Sequence, residues 1–141
     1  MNMKLSSETE EQKVVVQWCD LRKIPIAHIP NEGKRSVAYA ALLKAMGLRK
    51  GFPDLIVPSA RGGYHGLFIE MKYGKGKTTK DQEQWIETLR SEGYAVAVCY
   101  DANEAIKTIS DYLKGIRKSE WEEAIGGNIQ RKARDSVPEK L

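Results

Sequence analysis

The stretch 51-GFPDLIVPSARGGYHGLFIEMKYGKGK-77 sets Asp54 at the start of one apolar run and Glu70 and Lys72 near the end of the next. Both runs read as strands. The connection between them, 59-SARGGYHG-66, is rich in turn residues and short enough to fold them into an antiparallel pair. Side chains alternate across a strand, so Phe68, Glu70 and Lys72 share one face while Leu67, Ile69 and Met71 share the other. An antiparallel hairpin brings the start of its first strand to the end of its second, which converges Asp54, Glu70 and Lys72 on one spot. Burying unpaired charge costs several kcal/mol. A divalent cation offsets that cost. The hard oxygens of Asp54 and Glu70, helped by a nearby carbonyl such as that of Met71, suit Mg²⁺ or Mn²⁺ better than zinc. Lys72 would then stand beside a metal-bound water, able to orient or polarise it.

Outward from this stretch the chain alternates helical and strand patterns. Residues 6–23 open with serines suited to an N-cap, with Ser7 and Glu10 at capping-box spacing, and carry Val14, Trp18 and Leu21 at helical intervals. A strand is expected in 24-IPIAHIP-30, and an Ala-rich helix closed by Gly47 in 36-SVAYAALLKAMG-47. After the basic loop 73-YGKGKT-78 a helix is expected from Thr79 to Gly93. An apolar strand, 94-YAVAVCY-100, and a helix, 101-DANEAIKTISDYL-113, complete the pattern. Helices flanking a small mixed sheet make this an α/β chain. Residues 1–114 read as one domain, and residues 115–141 as a charged C-terminal tail or arm: a short helix, an arm for a partner subunit, or loose chain.

With 141 residues the chain can bury a core without disulfide or zinc staples. Cys19 and Cys99 match no zinc or CxxC spacing and read as small reduced core residues, which fits a cytoplasmic protein, or host cytoplasm if phage-encoded. No apolar stretch approaches the length of a membrane span, and the N-terminus has no signal-peptide core. The net charge of +4 is unevenly spread: residues 22–80 hold twelve Lys and Arg against three acids. A positive segment surrounding a few buried acids is what a polyanion site needs, because phosphates are drawn in while a metal is held beneath them.

Gly51-Phe52-Pro53-Asp54, a hairpin-length gap and Glu70-Met71-Lys72 together resemble the PD-(D/E)XK nuclease signature. From about Glu8 to Leu113, including "HIPNEGKRS", "LLKAMGLRKGFPDLIVP", "FIEMK" and "TKDQEQW", the chain resembles the stand-alone virus-type replication-repair nuclease (VRR-NUC) branch of that superfamily. The resemblance implies a restriction-endonuclease-like PD-(D/E)XK core. It also implies metal-binding acids at Asp54 and Glu70, a catalytic lysine at Lys72 and a further acid on the first helix. Helical arithmetic leaves Glu8, Glu10 and Glu11 open: Glu11 lies about 20° from Trp18 and Glu10 comparably near Val14 at 100° per residue. The match of "EEQKVVVQW" to the family's first helix favours Glu11.

Gln82 falls on the apolar stripe of its helix, and a buried glutamine needs partners. In related nucleases a glutamine here sits beside the active site. The other reading is a capping-box residue bonded to the Thr79 backbone, and the two roles are read as competing for one amide. Asn31, Lys34 and Arg35, at a strand-to-helix junction, and the loop cations Lys50, Lys75 and Lys77 are candidate DNA contacts. Tyr73 could stack on a base, whereas His28 reads as a satisfied strand residue. The resemblance implies a homodimeric, Mg²⁺-dependent Holliday (four-way) junction resolvase, Mn²⁺ being able to substitute. The alternatives are a nuclease of the same fold acting on flaps, nicked duplex or single strands, and a non-catalytic DNA-binding module.

Overall fold

The computed structural model describes residues 7–31 and 35–122. Helix α1 (Glu8–Leu21) begins where Ser7 Oγ accepts the Glu10 amide at 3.2 Å. The reciprocal half of the expected capping box is replaced by an ion pair, Glu10 with Lys13 at 3.1 Å. Strand β1 is only Ala27–His28, shorter than the apolar alternation suggested. It is followed by α2 (Val37–Ala45), β2 (Leu55–Val57), β3 (Leu67–Met71), α3 (Lys80–Ser91), β4 (Ala95–Cys99), α4 (Ala102–Leu113) and the single turn α5 (Ser119–Glu122).

The four strands lie in the order β1-β2-β3-β4, with β1–β2 and β2–β3 antiparallel and β3–β4 parallel. The β2–β3 hairpin closes at an Arg61–Tyr64 bridge around Gly62 and Gly63, both at positive φ (58° and 88°). Only glycine adopts that geometry cheaply, and it matches the right-handed twist of the strands. The parallel pair needs a crossover, which α3 supplies.

Every residue of the central strand β3 is buried, because both sheet faces are covered. On one face Leu67, Ile69 and Met71 join Leu55, Val57 and Cys99 against Val15 and Cys19 of α1 and Ala105, Ile109 and Tyr112 of α4. On the other, Phe68 and Val96 pack against Ile86 and Leu89 of α3. Each such aliphatic side chain contributes about 1.5–3 kcal/mol by leaving water. The strict alternation of β3 between two cores therefore holds its register, since a one-residue slip would exchange the faces.

The packed unit continues past residue 114, where a short helix is the one of the three readings seen among the described residues. Trp121 of α5 is 1% exposed and stacks edge-on against Tyr64 and Tyr112. Lys118, just before α5, pairs with Asp111 of α4 at 3.4 Å. A hydrogen bond from Lys107, then Lys118, pulls the Asp111 carboxyl below its ordinary value. Residues 123–141 of the expected arm lie outside the described residues.

Candidate functional site

Extending the β2–β3 register by one residue sets Asp54 opposite Glu70. The convergence expected from the hairpin is realised: Asp54 Oδ2 accepts the Met71 amide at 2.8 Å, tying the aspartate across to the end of β3. Asp54 is 9% exposed, Glu70 2% and Lys72 8%. Such burial of two acids and a cation is tolerated only where each charge has partners.

Much of that partnership comes from α3. Glu70 and Lys72 point to the sheet face that α3 covers, and Gln82, on the first turn of α3, stands between them. Its Oε1 accepts from Lys72 Nζ at 2.7 Å, and its Nε2 donates to Glu70 Oε2 at 2.9 Å. Lys72 Nζ is itself 3.9 Å from Glu70 Oε2. The same Oε1 accepts the Thr79 amide at 2.8 Å while Thr79 Oγ1 accepts the Gln82 amide, a complete capping box. The two roles read as exclusive therefore coexist. An amide oxygen has two lone pairs, and here one serves the helix cap and the other the lysine.

The loop before Asp54 is pressed onto the same helix. Gly51 has φ 89°, and a Cβ there would lie 2.6 Å from the Asp81 carbonyl carbon and 2.8 Å from the Gln82 amide nitrogen. Glycine at 51 is what lets the Asp54 loop and the Gln82 turn touch.

Behind Asp54 opens a cleft of about 510 Å³ lined by Glu8, Gln12, Lys13, His28, Asn31 and Asp54, among others. The first-helix acid in this cleft is Glu8. Glu11, favoured from the sequence, is turned elsewhere: its Oε1 accepts the Ala102 amide at 2.7 Å, capping the N-terminus of α4. A carboxylate is stabilised there by unsatisfied amides and the helix dipole, which explains why the buried stripe of α1 begins with an acid. Glu10 pairs with Lys13.

His28 Nδ1 lies 3.0 Å from the Asp54 carbonyl oxygen and 3.1 Å from Gln12 Nε2. Together with the Ile29 amide, which donates to the Asp54 carbonyl at 2.8 Å, it braces the backbone of Asp54 from β1. Sequence reasoning missed this pair, since strand alternation shows His28 within a strand but not which loop it meets.

Among the candidate DNA contacts, Asn31 is turned inward: its Nδ2 donates to the carbonyls of Arg49 (2.8 Å) and Phe52 (3.4 Å). It holds the basic loop in shape. Lys50 is exposed and 3.8 Å from Asp81, and Lys75, Lys77 and Tyr73 are exposed in the loop after Lys72. Arg35 is half-buried, and Lys34 lies outside the described residues.

The donors gathered at Asp54 and Glu70 are carboxylate oxygens, the set a hard divalent cation prefers. Among the described residues no three His, Cys, Asp or Glu side chains are grouped closely enough to hold a metal ion. An ion here would keep part of its shell for water and substrate oxygens, which fits Mg²⁺. Cys19 and Cys99 take no part. Both are free and buried, and desolvation pushes their thiols up to about 11 and about 12.

A mixed sheet with flanking helices, carrying an aspartate at the head of one strand and Glu-x-Lys at the end of its neighbour, is a PD-(D/E)XK-like core. Residues 2–103 match the model of the VRR-NUC domain. A solved structure described as a VRR_NUC domain protein is similar, at 35% identity and a TM-score of 0.69, over 82% of this chain and 99% of that one. Among curated proteins none matches. The chain belongs to the VRR-NUC family, and that membership implies a nuclease-type, DNA-processing function. No described helix is long and apolar enough to cross a membrane.

Proposed function

We propose that the protein is a divalent-metal-dependent endodeoxyribonuclease acting on branched DNA, with the four-way junction as its leading substrate. The observation that carries this reading is the buried Asp54–Glu70–Lys72 set, in which Gln82 bonds both Glu70 and Lys72 and Asp54 lines an open cleft. A module that only bound DNA would have no use for two carboxylates, which repel phosphate, at 9% and 2% exposure.

Asp54, Glu70 and the Met71 carbonyl would hold Mg²⁺, with Glu8 in place of Glu11 as the helix acid nearest the cleft. When bound, the ion would supply a water of lowered pKa and neutralise charge on the phosphate. Lys72 does the rest of the electrostatic work. Fixed by Gln82 through one of its three N–H donors, it keeps donors for the attacking water or a phosphate oxygen, in a site already desolvated and preorganised. Lys50, Lys75 and Lys77 would draw the backbone in.

A homodimer belongs to this proposal, since a two-fold assembly offers two sites to a pseudo-two-fold junction. Supporting it is α2, an apolar helix with no buried residue, on which Val37 is 87%, Leu42 52% and nearby Met46 73% exposed. A helix that is apolar all round is normally covered.

The test is cleavage of end-labelled four-way junction, flap, nicked and plain duplex in Mg²⁺, with sedimentation to give the oligomeric state. Paired nicks in the junction by a dimer are expected. Cleavage confined to flaps or nicked duplex would replace the substrate, and binding without cleavage in Mg²⁺ and Mn²⁺ would replace the reading with a DNA-binding module.

A further inference from the structure

Next to the catalytic cleft lies a second, apolar cavity of about 320 Å³, whose walls include Ile29, Leu48, Phe52 and Trp85, with Asn31 and Arg49 at its polar side. It is not remote from the chemistry. Asn31 lines both cavities. Phe52 is two residues before Asp54, and Trp85 is one helical turn after Gln82. The two rings meet edge to face at 4.9 Å, and both are half-buried. Phe52 is in turn backed by Phe68 at 5.3 Å, so the aromatic wall is anchored in the core beneath it.

Charge and shape together narrow the occupant. The slot is small, at the low end of the roughly 300–1,000 Å³ of ligand pockets. It is lined by flat and aliphatic surface, yet Arg49 lines it and the exposed Lys50 follows in the loop. A group that is flat and apolar on its faces and tethered to an anionic backbone suits such a slot. Resting on the nuclease reading above, we propose that this slot receives one unstacked nucleobase from a nucleotide flanking the scissile phosphate, with Phe52 and Trp85 as its walls and Arg49 on the adjoining phosphate.

The consequence bears on substrate choice. Taking a base out of an intact duplex costs a few kcal/mol, whereas a base at a branch point, flap or mismatch is already partly unstacked. A base-accepting slot that shares Asn31 with the Asp54 cleft therefore favours interrupted DNA over continuous duplex without reading any sequence, because every base has a π-face.

The experiment is an enzyme-by-substrate cycle. A four-way junction carrying a single abasic residue at successive nucleotides across the branch point is bound, by fluorescence anisotropy with Ca²⁺ in place of Mg²⁺, to wild type and to Trp85→Leu. Phe52→Leu serves as a second variant should Trp85→Leu fail to fold. At one position the missing base should weaken wild-type binding roughly five- to hundred-fold, the range of one base–aromatic stack, and weaken the variant less than about two-fold. Equal penalties for both proteins at every position would overturn the proposal. Equal penalties together with loss of the dimer in sedimentation would also overturn it, by showing that a second copy fills the slot. Cleavage of the same junctions in Mg²⁺ is recorded separately, so that coupled binding with no wild-type cleavage would retire the nuclease reading while keeping the slot.

Discussion

Replacing Gln82 by leucine keeps its volume and removes three hydrogen bonds at once: to Lys72 Nζ at 2.7 Å, to Glu70 Oε2 at 2.9 Å and to the Thr79 amide at 2.8 Å. Two of these involve charged groups, worth about 1.5–3 kcal/mol each, and the third about 0.5–1.5 kcal/mol. Part of the loss is recovered. Lys72 still has Glu70 at 3.9 Å, and leucine adds apolar burial on the buried stripe of α3 that carries Ile86. A net destabilisation of about 2–4 kcal/mol is expected, which a domain holding about 5–15 kcal/mol survives. Urea unfolding followed by tryptophan fluorescence measures it. The sharper test is the cycle with Lys72→Met: once the ammonium is gone, the glutamine has less to hold. Deleting both should then cost about 1.5–3 kcal/mol less than the sum of the single losses. Additivity within about 0.5 kcal/mol would refute the claim that Gln82 organises the lysine.

Further outcomes follow from neighbouring features. Gly51→Ala should lower the melting temperature by several degrees and reduce cleavage as well, because a Cβ at φ 89° would push on the Asp81–Gln82 backbone; an unchanged melting temperature would contradict that contact. Glu8→Gln should leave stability unchanged and lower cleavage at least about ten-fold, whereas Glu11→Gln should cost about 1 kcal/mol through the α4 cap with cleavage within a few-fold; the opposite pattern would return the helix acid to Glu11. The two thiols should resist a thiol reagent at pH 8 until the protein is unfolded. Their folded-state pKa values are raised, so the stabilisation from the neutral thiols is full below their ordinary value of 9.0 and falls as pH climbs toward about 12. Wild type should therefore lose up to about 1.4 kcal/mol per pH unit more than Cys99→Ala above pH 9, as read by chemical unfolding.

The hairpin and its charges were legible because period-two alternation and a short glycine turn determine which ends meet. From these the Asp54–Glu70 pairing and the shared face of Glu70 and Lys72 follow directly. The helix acid was less legible. Angular position on α1 shows that Glu11 begins the buried stripe, but not that the buried neighbour is the N-terminus of α4, a contact 91 residues away in the chain. The burial of Gln82 follows from its place on the apolar stripe, whereas the coexistence of its two roles rests on the two lone pairs of Oε1, which helical spacing does not reveal. Trp121 shows the limit of composition: one aromatic among charged neighbours leaves short helix, arm and loose chain equally open, and it is the contact with Tyr64 and Tyr112 that docks the turn of helix.

In the proposed metal-dependent hydrolytic site, Asp54, Glu70 and Lys72 act together. Asp54→Asn tests it with little structural disturbance, because the asparagine carbonyl can still accept the Met71 amide while the negative charge is gone. The measurement is the rate of phosphodiester cleavage of a labelled four-way junction as Mg²⁺ is titrated, for wild type and Asp54→Asn, with junction affinity measured alongside. Wild-type cleavage that rises with Mg²⁺ and is abolished by chelation, with no cleavage and undiminished binding by the variant, is the predicted result. Equal cleavage by the two proteins, or cleavage that persists in chelator, would rule out a metal site at Asp54.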